Sequence, residues 1–470
     1  MSIGEQPSRL ETLTIQPIAH HERHGRARDL FTIWFGSNIM LLTIVTGALG
    51  VTVFHLSFLW AVVALALGNL IGAVFMALHA AQGPILGVPQ MVQTRGQFGS
   101  VGALLVVGIV IVMYVGFYAS NLVLGGEALA AVCPPLHALG GIALMSLVSV
   151  AGAIWGYDLI HAYARAMSYL AGVMLLLTLV WVFGVHGLPA DFWHRNLGSN
   201  GAAGALGTLS IAALWQIAYA PYVSDYSRYM PADTGVRPAF WATYWGCTLG
   251  SFLPMVLGAA IGLCMRGDDA IAGLGQVTDR LAPVAFLVFS VGMVATNAMN
   301  IYCGALSSLT FGQTLAPAWS PRARARTLAA IGIALCAFAL AVLGKDSFLE
   351  NYTNFILLLL YVLVPWTAIN LVDYYWVRRA QYHVESFLRA DGGIYGRVNP
   401  AAVGCYVLGI LVQVPFMSTP MYTGVVAHRL HDADLSWLIG LAVTAPLYYA
   451  LAVRRQALRV AAEGTLGARP

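Results

Sequence analysis

The stretch DLFTIWFGSNIMLLTIVTGALG, residues 29–50, decides the fold, because an apolar run long enough to cross a bilayer carries Gly36-Ser37-Asn38 in its middle. An unbroken apolar helix satisfies its own backbone in lipid. An interruption survives only where protein, ions or a water-lined cavity take over the freed groups. A second interruption lies in LWQIAYAPYVSDYSRY, residues 214–229, where Gln216 and Pro221 break the sixth apolar run. Two breaks five runs apart predict a transporter built from two repeats, with its binding site where the breaks meet.

Working outward, the 470 residues are 59% hydrophobic and only 9% charged, with a mean hydropathy of +0.75. A chain of this composition has too much apolar surface for one soluble core and belongs in a bilayer. Apolar windows recur at 30–56, 57–80, 100–132, 138–157, 162–186, 204–228, 238–265, 281–313, 325–344, 348–376, 400–420 and 435–453, which predicts an all-α membrane protein of about twelve transmembrane helices. Five is odd, so spans 1–5 (30–186) and spans 6–10 (204–376) run in opposite senses, the arithmetic of a five-plus-five inverted repeat. Spans 11 and 12 (400–453) are then accessory, between an N-terminal tail (1–29) and a C-terminal tail (454–470).

Placing the N-terminus in the cytoplasm leaves Arg195, Arg266, Arg280, Lys345 and Arg429 outside and the other 19 of the 24 basic residues inside. Both termini are therefore expected in the cytoplasm of a multi-pass inner-membrane protein. The net charge of +4 is topology, and no clustered basic face points to nucleic acid. The first 29 residues lack the apolar core of a signal peptide and read as a short cytoplasmic tail. The six cysteines include no CxxC pair and read as small apolar residues, and most of the histidines show no HxxxH spacing, so neither a metal site nor a cofactor is expected from these residues.

Polar side chains inside the spans are the candidates for function, since each costs free energy unless something satisfies it. Asn38 lies in the first break. Asn121 is one turn beyond Phe117 on one face of span 3. Gln216 adjoins Trp215 in the second break, with Tyr219 one turn on; Asn297 and Asn300 share a face of span 8 beside Thr296. Uncharged amides beside aromatic rings suit a planar, neutral heterocycle with donors and acceptors on its edge. No mid-span basic residue is available to meet an anion. Against this stands the alternative that a lone Asn bonds a neighbouring helix and that Trp215 and Phe117 simply pack. Glu127, the one carboxylate well inside a span, reads either as a proton carrier or as a structural hydrogen-bond group. Asp225 and Arg228, three apart at the inner end of span 6, read as a capping or gate-like ion pair.

At these residues the chain resembles the nucleobase-cation-symport-1 family, the purine-cytosine permeases. The resemblance runs from Asp29 to Phe416 and rests on five stretches in order: residues 29–50, GVPQMVQTRGQFG between spans 2 and 3, APYVSDYSRY in span 6, NAMNIYCGALS in span 8 and PWTAINLVDYY in span 10. It implies a sodium-symporter-like fold and inward carriage of nucleobases, hydantoins or related vitamins with a cation. It implies that Phe117 borders the substrate, where the family often has Trp, and that Asn121 is the polar residue one turn on. Either Trp215 or Tyr219 is the second aromatic, and Asn297 and Asn300 are the amide pair. A sodium site would map to the backbone around Gly36 and Ile39, to Gly292 and to Thr296. Ala295 stands where a second hydroxyl is sometimes found, which leaves proton coupling open, as in fungal relatives.

The expected function is inward symport of cytosine, a purine or a related planar heterocycle by alternating access; a carrier of the same fold for an amino acid, a hydantoin, allantoin or a vitamin is the alternative. A channel needs a continuous lining of charges or carbonyls, and an enzyme needs converging acids, bases or metal ligands. Neither pattern is present in the sequence.

Overall fold

Helices make up the regular structure of the computed structural model, which describes residues 14–466 apart from 156, 200, 235 and 265–269. The basic residues Arg9, Arg266 and Arg469 lie outside the described residues. Span 1 consists of Ala27–Asn38 and Leu41–Thr52, two helices bent 62° at the break. Spans 2 to 5 are Phe58–Ala80, Leu104–Val132, His137–Trp155 and Tyr157–Val180, the last continuing as a π-turn over Trp181–His186. Span 6 is Ala202–Ile217 followed by Ala220–Ser227. Spans 7 to 10 are Val236–Cys264, Ala282–Leu315, Ala323–Gly344 and Phe348–Leu371, the last extended by a π-turn over Val372–Val377. Pro400–Leu411 and Ser436–Leu466 complete the twelve.

The packing repeats itself about a pseudo-two-fold. Span 2 packs on span 6 as span 7 packs on span 1, span 5 on span 1 as span 10 on span 6, and span 4 on span 8 as span 9 on span 3. Exchanging each span for the one five places on maps these pairs onto one another, as an inverted repeat requires. The outward face is apolar: Leu147, Leu328 and Leu343 are 69%, 69% and 81% exposed, which only a lipid environment makes tolerable. Where spans 1 and 7 cross, glycine lets the backbones touch. A Cβ on Gly258 would lie 1.8 Å from the Ile44 carbonyl oxygen, and one on Gly47 2.0 Å from that of Met255.

Several boundaries differ from the sequence reading. The first helix starts at Ala27 rather than 30, and the twelfth runs through 454 to Leu466 instead of yielding to a tail. The polar N-terminal segment does not all hang free: Ile15 and Ile18 are buried, Ile18 donates its N–H to Gly87 O (3.0 Å), and Arg228 reaches Thr14 O (2.9 Å). The link between spans 2 and 3 is two buried short helices, Gly83–Leu86 and Gln90–Phe98. Asp225 in span 6 accepts the Gln90 N–H (2.9 Å), placing a carboxylate at the start of the second of these. Arg95 within it donates to Gln313 (3.0 Å), Thr314 (2.8 Å), Thr310 O (2.7 Å) and Phe387 O (2.8 Å), joining the link to span 8 and to the loop after span 10. Arg228, read from spacing as the partner of Asp225, reaches that residue's backbone carbonyl (3.3 Å) and the hydroxyls of Tyr229 and Tyr302 (both 3.3 Å).

The backbone contact between spans 1 and 7 gives a direct test. Gly258→Val should lower stability by about 1–3 kcal/mol or more, since backbone atoms must move, seen as an earlier melting transition in detergent. Gly404→Ala, with no atom within 4 Å of the new Cβ, should leave the transition unchanged.

Candidate functional site

The first break falls two residues later than the Gly36-Ser37-Asn38 sequence suggests. The helix continues through Asn38, and Ile39 (φ −86°, ψ 82°) and Met40 (φ −151°, ψ 166°) leave it. The reason is local. The Asn38 side chain donates to Trp34 O one turn back (2.6 Å), so the polar triplet closes the last turn instead of opening it. The second break is milder. Ala218 and Tyr219 keep nearly helical torsions (φ −64°, ψ −19° and φ −83°, ψ −13°), and Pro221 at the start of the second half has no N–H for the carbonyl four residues back. The Pro221 carbonyl itself accepts the Tyr114 hydroxyl (3.0 Å).

Between the two breaks and spans 3 and 8 lies a cavity of about 280 Å³, lined by Met40, Phe117, Asn121, Trp215, Ala218, Tyr219, Tyr222, Thr296 and Asn300. No charged side chain lines it. The rings meet edge to face: Phe117 and Trp215 have centroids 6.0 Å apart at 83°, and Trp215 and Tyr219 lie 6.1 Å apart at 72°. Phe355 of span 10 closes on Phe117 from the other side (5.2 Å, 76°). The polar atoms of this wall are under-used. Both amide atoms of Asn121 and the Asn300 Nδ2 are buried without a hydrogen-bond partner, while Asn300 Oδ1 accepts the Tyr222 hydroxyl at 2.5 Å. Unpaired buried amides are costly, and two of them, Asn121 and Asn300, face this one cavity.

Of the residues singled out from sequence, Phe117, Asn121, Trp215, Tyr219, Asn300 and Thr296 line this cavity, and Asn38, Gln216 and Asn297 do not. Asn38 is saturated: its Oδ1 accepts from Trp215 Nε1 (2.7 Å) and Ser251 Oγ (2.9 Å), and its Nδ2 donates to Trp34 O and to Cys247 Sγ (3.3 Å). Gln216 points toward spans 2 and 7, donating to Asn69 Oδ1 (2.7 Å) and Ser251 Oγ (3.2 Å). Asn297 is fully buried, with neither amide atom hydrogen-bonded. Met40, Ala218 and Tyr222 went unnoticed in the sequence. Tyr222 was legible, standing three residues beyond Tyr219 on the same helical face.

Around the first break, Thr296 Oγ1 donates to Ser37 O (2.8 Å), and Gly36 O accepts the Ile39 N–H (3.3 Å). A Cβ on Gly292 would lie 3.2 Å from Ile39 O, so this glycine lets span 8 approach the broken backbone. Gly36, Ile39, Gly292 and Thr296 are thus gathered at one place. Glu127 sits half-buried on span 3, six residues beyond Asn121 and about 9 Å along the helix, and does not line the cavity.

Residues 17–440 match the family model described as permease for cytosine/purines, uracil, thiamine, allantoin. The chain belongs to that family, the nucleobase-cation-symport-1 transporters. The putative purine-cytosine permease YxlA of Bacillus subtilis is 38% identical over 448 residues, covering 94% of this chain and 96% of that protein. The purine-cytosine permease fcyB of Emericella nidulans is 25% identical over 90% of this chain and 84% of its own length. Among solved structures, the nucleobase-cation-symport-1 transporter Mhp1, closed with bromovinylhydantoin bound, superposes with a TM-score of 0.76 at 18% identity, over 96% of this chain and 97% of that one. The fold is therefore the five-plus-five inverted repeat with two accessory helices, and the protein is a membrane transporter, not an enzyme.

The two kinds of amide at the site should separate in a melting experiment without substrate. Asn38→Ala breaks a saturated buried network and should cost about 1–3 kcal/mol. Asn121→Leu removes a buried amide that has no partner and should leave the melting temperature equal or higher.

Proposed function

We propose that this transporter carries a nucleobase, cytosine or a purine, inward with a cation by alternating access. The observation that carries the reading is the uncharged cavity at the two breaks, where ring faces and unpaired amides stand together. A flat heterocycle entering it would lie against one ring face, meet the edge of the second, and complete Asn121 and the Asn300 Nδ2 through its own donors and acceptors. The likeness to the Emericella purine-cytosine permease and to the putative purine-cytosine permease of Bacillus supports the same substrate class. A free amino acid fits less well, since no charged side chain lines the cavity to pair with its carboxylate or ammonium group.

For the cation, the Ile39 carbonyl, the Ser37 carbonyl and the Thr296 hydroxyl support a sodium site joining the first break to span 8, with Gly36 and Gly292 supplying backbone nearby. Ala295 contributes no hydroxyl, and Glu127 stands apart from the cavity as the alternative, proton-coupled route. Both termini are assigned to the cytoplasmic side of the inner membrane by the distribution of basic residues. A potential contributes about 2.3 kcal/mol per charge per 100 mV, so one co-transported cation would concentrate a neutral base roughly fifty-fold.

Uptake of labelled cytosine and adenine by cells or proteoliposomes tests the substrate, with hypoxanthine, uracil, allantoin, a hydantoin and an amino acid as competitors. Nucleobases should compete; competition by the amino acid alone contradicts the reading. Asn121→Ala should reduce uptake about tenfold through one lost buried hydrogen bond, with the protein still in the membrane. Replacing sodium by choline should abolish uptake if sodium is the partner, and Ala295→Ser should then lower the sodium concentration needed for half-maximal rate. Loss with a protonophore but not with choline assigns the proton.

A further inference from the structure

Away from the cavity at the breaks, the perimeter carries a cleft. Its two adjoining parts, about 910 and 1,210 Å³ of empty space, share Tyr375, Trp376, Leu441 and Ala445, and lie between the ends of spans 2 and 10 and the middle of span 12. The floor is apolar, and small residues make the recess: Ala442, Ala445 and Pro446 stand where larger side chains would fill it. Trp376 and Tyr449 border it, 63% and 44% exposed, with ring centroids 6.4 Å apart at 86°. At its rim, just past the end of span 10, stands Arg379.

The charge at that rim is uncompensated. Arg378 is held by the buried carboxylate of Asp373 (2.9 Å), but Arg379 is exposed, and its guanidinium has neither hydrogen bond nor ion pair among the described residues. No acidic side chain lines either part of the cleft. An apolar trough leading to one free guanidinium has the form of a phospholipid, with a hydrocarbon chain and a phosphate at its end. Arginine is also the side chain whose planar fork matches phosphate oxygens. A second copy of this chain fits less well, since an isologous contact would bring the same unpaired arginine from both sides.

We propose that this cleft binds an anionic phospholipid of the leaflet nearest the termini, its acyl chain along the Leu441–Tyr449 face of span 12 and its phosphate on Arg379. Aromatic residues at the interface and a lone arginine also serve as simple depth anchors, and that alternative gives no preference among headgroups. The bound lipid would brace span 10 against span 12, one helix of the repeat against one accessory helix.

Native mass spectrometry of the intact protein, released from an equimolar mixture of phosphatidylglycerol and phosphatidylcholine, tests this. The wild type should retain phosphatidylglycerol in preference. Arg379→Glu should lower its retention at least about fivefold, the effect of one basic residue at a charged surface, and leave phosphatidylcholine unchanged. Ala445→Trp, which fills the cleft, should displace both lipids. Equal retention of the two lipids, an unchanged preference in Arg379→Glu, or a dimer abolished by Ala445→Trp would each overturn the proposal. Arg379→Gln provides the same comparison should the charge reversal fold poorly. None of these readings depends on which base is transported.

Discussion

A backbone that leaves its helix inside a bilayer has to be held by something other than lipid, and here Asn38 does the holding. Its amide uses all its hydrogen-bonding capacity, on Trp34 in its own helix, Trp215 in span 6, and Ser251 and Cys247 in span 7. Through it, the end of the first half-helix is fixed to the ring that forms one wall of the cavity. Trp215 can stand edge-on to Phe117 because its N–H is committed to that amide. The site therefore separates two kinds of polar group: amides that build the break, and amides left open beside it.

The same economy appears at the end of the molecule that carries the termini. Asp225 caps the buried link between spans 2 and 3, Arg228 reaches the N-terminal segment, and Arg95 within the link reaches span 8 and the loop after span 10. Asp225, Arg228 and Arg95 do not line the cavity, and each satisfies backbone groups that are buried away from water.

Much of the architecture was legible because bilayer thickness and hydropathy constrain it tightly: twelve spans and the odd repeat length follow from counting apolar runs, while of the two interruptions expected from residue type only the first bends its span sharply (62°). The finer geometry was not. Gly36-Ser37-Asn38 looked like the break, yet a short polar side chain folding back onto Trp34 O carries the helix through the triplet, and nothing in residue type distinguishes those outcomes. Likewise Asn38, Gln216 and Asn297 looked equivalent to Asn121 and Asn300, because an amide in a span advertises its cost but not its direction. For Asn38, neighbours two hundred residues away, Cys247 and Ser251, decide that direction. Phe117 and Asn121, related only by helical spacing, were placed together correctly because i and i+4 always share a face.

Open amides and rings around one cavity suit a flat uncharged ring. The most direct measurement is a structure of the protein with cytosine or adenine bound. The base should lie between Phe117 and Trp215 with its polar edge on Asn121 and Asn300, and Asn38 should keep its four partners. A base bound elsewhere, or one whose contacts pull Asn38 away from Trp215 and Ser251, would contradict it.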